Sequence, residues 1–340
     1  DGRVGRPHRW SRPMWVAFQI TAATSALARP SVVFTDCDGT MLSPAHSLSA
    51  RSRSVLRELD RLGVRVVPAT GRARAGSWTE DVLTEPALRG GSPGVFCNGC
   101  IAYDTDGSAL PPATLPRELP SALLRTLAAP GAISCCPIAY VGDEALHDSG
   151  SAALLSQLAE VGDSPLRCVA DLSAACEAAA VTKILLLHAS GSDSDALRAS
   201  VSATVCNGGG ALTQALDWML EACSRHYIRP YDRHLGVRHT LARSLRVFEQ
   251  ILFRSKVIPA DADKGTAATA LLARWGLGWE DVLAIGDGEN DLPLLARAGT
   301  SVAMGNGGEA VRRAAQHVVG SNAQDGWAEA MERFVISVSE

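Results

Sequence analysis

The sequence predicts an α/β protein built on a doubly wound parallel sheet, with a second α/β unit inserted into it. Three observations carry that reading. Short apolar runs alternate with helical segments, as parallel strands joined by crossover helices do. Two of those runs, VVFT at 32–35 and VLAI at 282–285, lead directly into aspartates. The same style marks the first and last thirds of the chain, whereas Pro111-Pro112 opens a middle region with a different rhythm. The boundaries that follow are a leader over 1–30, a core made of 31–111 and 257–340, and the inserted domain over 112–256.

In the first third, 32–35 reads as a strand, 49–61 as a helix with Ser49 as N-cap and Gly63 as its stop, and 64–70 as a second strand. A third apolar run, GVFCNGCIAY at 94–103, is broken at Asn98-Gly99, and Asp106-Gly107 predicts a hairpin turn. The middle reads as helices at 119–127, 152–161 and 193–202 and strands at 132–140, 182–188 and 203–206. In the last third the strand VLAI is followed by a helix through Leu295, the strand run SVAMGN, a helix through Ala315 and a final helix over 323–334.

Composition excludes several classes of function. A net charge of −4 over 340 residues is far from the strongly basic surface that chain-wide nucleic-acid binding requires. No uncharged apolar run reaches the roughly 18 to 20 residues of a membrane span. No nucleic-acid partner and no membrane partner is therefore expected. The nine cysteines are scattered and odd in number, which argues against a disulfide framework and for a reducing compartment. Residues 1–30 carry five arginines against Asp1 and resemble an organelle transit segment. A weak signal peptide, with 14–26 as its apolar stretch, and a translated leader before Met14 are the rival readings. The expected location is intracellular, with chloroplast and cytoplasm both open.

The chemistry lies at the strand ends. Asp36 and Asp38 flank one residue, so a strand-like alternation would point both carboxylates the same way and make them repel. A calcium loop starting at Asp36 is excluded, because Met41 and Ser47 stand where glycine and glutamate are needed. GDGEND at 286–291 brings further acids to a second strand end, where open parallel sheets bind their ligands. Several acids in one crevice require a cation, and donors that are all oxygen point to Mg²⁺ rather than zinc. In ATGR at 69–72, Thr70 offers a hydroxyl and Gly71 a backbone N–H. Lys264-Gly265 opens a helix after ADAD. Each piece alone has a plain alternative: an acidic capping turn, a common Thr-Gly turn, an exposed lysine at a helix start.

Taken together and in this order, DxDGT at 36–40, Thr70, Lys264 and GDxxND at 286–291 resemble the haloacid dehalogenase (HAD) superfamily. FCNGCIAYDTDG at 96–107 and GDGENDLPLLARAG at 286–299 are similar to its Cof-like branch (type IIB). The resemblance covers residues 31–340 and implies a Rossmann-like core carrying an α/β cap domain. It also implies a role for each matching position. Asp36 becomes the nucleophile that forms an aspartyl-phosphate, and Asp38 the general acid and base. Mg²⁺ is held by Asp36, the backbone carbonyl of Asp38 and Asp287, with Asp291 supporting the metal from behind its ligands. Lys264 and Thr70 hold phosphoryl oxygens, helped by backbone N–H groups that include Gly71. Asn290 bonds the phosphoryl group or orients Lys264, and Asn98 contacts substrate. Cys37 is expected to point away from the aspartates and pack inward. Cys97 and Cys100 form a CxxC without the second pair of a structural zinc site, which leaves thiol regulation as one reading of them.

The sequence departs from the family at one place. There the last cap strand runs straight into the lysine motif, in a form like WLEIxPxxxxKG. Here DWMLE at 217–221 and VIP at 257–259 are separated by residues 222–256, which hold eight Lys or Arg against Asp232 and Glu249. Leu241, Leu245, Phe248 and Leu252 recur at helical spacing, so this basic insertion is read either as a surface helix that touches a membrane or nucleic acid, or as translated non-coding sequence. No metal is assigned to its histidines. The function expected is a Mg²⁺-dependent phosphatase of small phosphorylated metabolites, sugar phosphates first. The alternatives are a phosphomutase or phosphotransferase of the same superfamily, and a catalytically impaired binding protein that uses the insertion.

Overall fold

The structure, a computed structural model, describes residues 29–132, 134–148, 155, 166–188, 254–259 and 261–338. Five parallel strands form the main sheet. β1 (Val32–Thr35) and β2 (Arg65–Pro68) come from the first third of the chain, joined by helix α1 (Ala50–Arg61). Ser49 caps α1 by accepting the Ser52 N–H at 3.0 Å. After β2 a short antiparallel hairpin, β3 (Gly94–Phe96) and β4 (Ile101–Tyr103), leads out of this layer.

A second sheet follows, containing β5 (Cys135–Val141), β6 (Glu144–His147), β7 (Leu166–Cys168), β8 (Lys183–His188) and β9 (Arg254–Val257), in the order β7-β6-β5-β8-β9. It is mixed, with β6 and β7 parallel and the other pairs antiparallel. Helices α2 (Leu119–Leu127) and α3 (Leu172–Ala178) accompany it. The chain then re-enters the main layer through α4 (Lys264–Trp275), β10 (Val282–Gly286), α5 (Leu292–Leu295), β11 (Thr300–Ala303), α6 (Glu309–Ala314), β12 (His317–Val318) and α7 (Gly326–Met331). The main sheet order is β12-β11-β10-β1-β2, which places β1 and β10 side by side at its centre.

Period-two alternation in these central strands makes the sheet doubly wound. Val33, Leu283 and Ile285 pack on one face with Val55, Leu56 and Leu59 of α1 and Trp327 of α7. Phe34, Ala284 and Val67 pack on the other with Ala268, Leu271 and Leu272 of α4. Phe34 is fully buried, a burial that contributes about 1.5–3 kcal/mol for a side chain of this kind. The strands are apolar on both sides because both sides are covered. The second sheet alternates in the same way: Ala139, Leu146, Ile184 and Leu186 meet α2 and α3, while Ile138, Tyr140, Ala145 and Leu185 join the cluster of the main layer.

Some sequence expectations shift. β6, β7 and α3 are not foreseen, although Asp171 caps α3 through the Ala174 N–H at 3.0 Å. These elements are short and half-polar, and only pairing with β5 makes them strands. Arg254–Val257, most of which falls within the expected insertion, is the edge strand β9 paired to β8. The rest of 222–256 lies outside the described residues, as do the elements expected at 193–202 and 203–206 and, apart from Leu155, at 152–161. Arg29, expected in the leader, donates to the carbonyls of Val335 at 3.2 Å and Val338 at 2.8 Å, satisfying carbonyls that a helix end leaves without partners. No described helix is long and apolar enough to cross a membrane.

Candidate active site

The site forms where β1 and β10 end together. Their register pairs Thr35 with Ile285, and the Asp36 N–H donates to the Ile285 carbonyl at 3.0 Å. The chain then turns sharply through Cys37–Met41. Gly39 has φ +76°, and a Cβ there would lie 2.3 Å from Asp287 Oδ2. Both the left-handed backbone and the closeness of Asp287 demand glycine. Thr40 Oγ1 completes the junction by donating to Asp287 Oδ1 at 2.8 Å. Cys37 is fully buried, and burial pushes its thiol well above the usual range, as an inward-packed cysteine requires.

Lys264 stands at the centre of the floor. Asp263 caps α4 by accepting the Thr266 N–H at 2.7 Å, so Lys264 is the first residue of the helix. Its side chain is fully buried, with Nζ 2.8 Å from Asp36 Oδ1 and 2.6 Å from Asp291 Oδ1. It is not the exposed lysine that a helix start would ordinarily carry. Burial acts against its charge, but Asp291 and Asp36 hold it above its ordinary value. The other oxygen of Asp291 accepts the N–H groups of Asp287 at 3.1 Å and Gly288 at 2.9 Å, which fixes the 286–291 turn.

Burial raises Asp36 well above the carboxylate range, opposed by Lys264 and reinforced by the charges of Asp291 and Asp287. Burial, then the charge of Asp291, pushes Asp287 up to about 6. Asp36, Asp287 and Asp291 each bring a carboxylate oxygen within 4.8 Å of the others. Three carboxylates against the single ammonium of Lys264 leave a surplus of two negative charges. An all-oxygen set with that surplus fits a hard divalent cation. Both oxygens of Asp291 and both of Asp287 accept hydrogen bonds, whereas only Oδ1 of Asp36 has a described one.

Asp38 meets a different set of partners. Arg72 grips it with two bonds, Nε to Oδ2 at 2.7 Å and Nη2 to Oδ1 at 2.5 Å, and His46 Nδ1 lies 2.9 Å from Oδ1. Burial opposes ionisation here, but the hydrogen bonds and charges of Arg72 and His46 win and hold the carboxyl well below its usual range. The sequence predicts two like charges relieved by one cation between them. In the structure each aspartate has its own partner, because the turn at Gly39 and the 70–72 strand end separate them.

The remaining expected residues divide. Thr70 is buried, and its hydroxyl oxygen accepts the Arg72 N–H at 3.1 Å. A Cβ on Gly71 would lie 2.9 Å from Asn98 Oδ1, so backbone and amide are in close approach. Asn98 adopts φ +59°, a region asparagine tolerates better than most residues. Asn290 donates to Asn98 Oδ1 at 3.1 Å and makes no described bond to Lys264; the orienting partner of that lysine is Asp291. Cys97 and Cys100 are buried and form no disulfide, and burial raises Cys100 far above the usual range.

Sequence reasoning assigned nothing to Arg72, His46 or Asn306, which donates to Asp287 Oδ2 at 3.3 Å. Arg72 had a signal, being the next residue after Thr70-Gly71. His46 and Asn306 had none, since only the fold brings them to the site.

A parallel sheet with acids gathered at the ends of its central strands is an α/β core with its ligand crevice at those ends, and the sequence identifies the family. The model of the haloacid dehalogenase-like hydrolases matches residues 33–222 and 237–331, and the chain belongs to that family. The break in the match, 223–236, is shorter than the expected insertion. A chloroplastic endoribonuclease YBEY of Arabidopsis thaliana is 24% identical over 310 residues, 89% of this chain and 46% of that protein. A phosphoglycolate phosphatase of Aeropyrum pernix is 47% identical over 77 residues, 23% of this chain and 32% of that one. This chain thus matches less than half the length of either curated relative. A haloacid dehalogenase-like hydrolase structure from Bacteroides thetaiotaomicron has a TM-score of 0.65 at 21% identity, covering 90% of this chain and 99% of that one.

Proposed function

We propose that the protein is a Mg²⁺-dependent phosphatase of small phosphorylated metabolites. The observation that carries the reading is the floor of the site, where Asp36, Asp287 and Asp291 surround Lys264 and leave two negative charges uncompensated. Bound Mg²⁺ supplies Lewis-acid neutralisation of phosphoryl charge and keeps Asp36 ionised against its burial. Asp36 and Asp287 would hold it, with the Asp38 backbone carbonyl.

In this reading a carboxylate oxygen of Asp36 attacks phosphorus, and the bond from phosphorus to the ester oxygen breaks as that oxygen takes a proton from Asp38. Water then attacks the aspartyl-phosphate, Asp38 recovers a proton from it, and the Asp36 carboxylate leaves with the bonding pair. Lys264 holds Asp36 in line and, with Thr70 and the Gly71 N–H, stabilises phosphoryl oxygens. Asn290 and Asn98, already joined to each other, face the substrate. The Arg72 clamp keeps Asp38 ionised, so the proton-donor step requires that clamp to loosen around bound substrate. The second sheet acts as a cap that selects substrate and excludes water. Sugar phosphates remain the first substrate class to test, and the phosphoglycolate named for the Aeropyrum relative is the second.

A phosphometabolite panel assayed with Mg²⁺ and after chelation tests the proposal. Turnover that disappears on chelation and returns with Mg²⁺ supports it; turnover indifferent to chelation, or none on any phosphomonoester, sinks it.

A further inference from the structure

On the face that the second sheet turns toward the main layer, Ile138, Tyr140, Ala145 and Leu185 are apolar core, and charged residues stand beside them. Tyr140 is paired with Lys183 across β5 and β8, and Leu185 with Lys256 across β8 and β9. Directly paired residues share a face, and so do residues two apart on one strand. Lys183 and Lys256 therefore project from the same face, and both reach the same point of the catalytic layer. Lys183 Nζ donates to the Gly71 carbonyl at 3.3 Å. Lys256 Nζ lies 3.4 Å from where a Cβ of Gly71 would sit, with Asn98 Oδ1 2.9 Å from that position.

The surroundings of Lys183 are unusual for a cation. It is 1% exposed, and among the described residues its partners are the Gly71 carbonyl and the face of Tyr140, 3.6 Å from Nζ to the ring centre. No carboxylate pairs with it among those residues. A buried ammonium satisfied by one carbonyl and a ring retains its demand for a negative charge. Lys256 adds a second positive charge at the same place and is exposed, so it borders solvent-accessible space.

We infer that Lys183 and Lys256 form an anion subsite over Gly71 and Asn98, and that the substrate carries a second anionic group, a carboxylate or a phosphate, besides the phosphoryl group that is cleaved. The inference rests on the phosphatase reading and narrows it to phosphomonoesters with an anionic tail as against sugar phosphates, whose tail is neutral. The subsite lies at the Thr70-Gly71 turn, whereas the nucleophile lies beside Lys264.

The test compares kcat/KM of the full chain for three phosphomonoesters of similar size: 2-phosphoglycolate, ethane-1,2-diol bisphosphate and 2-hydroxyethyl phosphate. The wild type is expected to prefer one or both anionic substrates at least tenfold over the neutral one, and which of the two it prefers distinguishes carboxylate from phosphate. In Lys256→Met that preference ratio falls about tenfold, Lys256→Arg retains it, and Lys256→Glu lowers it further. Lys183→Met lowers it too; should that buried variant fail to fold, the Lys256 series decides alone. A wild-type ratio near one overturns the subsite while leaving the phosphatase reading intact. An equal loss on all three substrates in Lys256→Met also overturns it, since the lysine would then serve the cleaved phosphoryl group. No turnover of any of the three overturns the subsite, while turnover of other esters in the wider panel keeps the phosphatase reading.

Discussion

Asp36 and Asp38 are two residues apart in one turn, yet they sit in opposite environments. Asp36 is 6% exposed and its cation, Lys264, is fully buried, so their pairing takes place away from water. The Asp38 side chain is 39% exposed and is held by a guanidinium and an imidazole at the edge of the crevice. Burial dominates the first carboxylate and raises it; hydrogen bonding dominates the second and lowers it. The difference shows that a DxD motif does not make a symmetrical pair of acids. One is built to be neutralised by ligands in a dry floor, the other to be exchanged at a wet edge.

The harshest way to break the comparison is Asp36→Asn. Removing the proposed nucleophile should lower kcat by at least about 10⁴-fold, measured by phosphate release, with folding retained by circular dichroism. Asp38→Asn should cost less, roughly 10²- to 10⁴-fold, the range of general acid–base catalysis. A single-turnover experiment in that variant should still trap phosphate on Asp36 when the leaving group is a phenol that needs no proton. Equal losses in the two variants, without trapping, would mean that the two aspartates share one role.

Lys264→Met probes the buried side through stability. Taking away one member of a buried ion pair leaves Asp36 and Asp291 uncompensated, and a destabilisation of about 3–5 kcal/mol is expected in denaturant titrations. Mg²⁺ should recover part of it. Arg72→Gln probes the open side and should change stability far less. Its expected effect is on the pH profile: the alkaline limb of kcat/KM moves upward, because Asp38, the proton donor of the first step, loses the partner that holds it low.

The smallest effect concerns pH. Asp287 has its value raised from 3.8 to about 6 in the fold, so between about pH 4 and 6 the folded chain binds a proton that the unfolded chain does not. Stability of the metal-free protein should therefore fall as pH rises through that window, a slope that follows from proton linkage. Added Mg²⁺ should raise the melting temperature above pH 6 and have little effect near pH 4. A metal response that is the same at both pH values would remove Asp287 from the ligand set.

Much of the main layer was legible because its signals are local. The runs at β1, β2, β10 and β11 are apolar on both faces, the caps at Ser49 and Asp263 are short-range, and a strand that ends in an acid places that acid at the crevice by topology alone. The inserted region was less readable. β6 and β7 have little pattern of their own, and β9 joins β8 from far along the chain. Within the site, Asp36, Asp287 and Lys264 were found from motifs, but the motif gave Asn290 a place beside Lys264 that the fold gives to Asp291. The Arg72 clamp was missed although TGR was in view, because adjacency in sequence does not say which way a long side chain will reach.

What the sequence by itself determined is therefore the catalytic layer and its acids. Period-two apolar strands and acids at strand ends are consequences of chain geometry that neighbours a few residues away suffice to impose. Tertiary structure alone decided which cation each acid meets and what the second sheet presents to the crevice. Those pairings join residues far apart in the chain, such as Asp36 with Lys264, Asp38 with Arg72 and Lys183 with Gly71, and the energy of a charge depends on burial that no single segment contains.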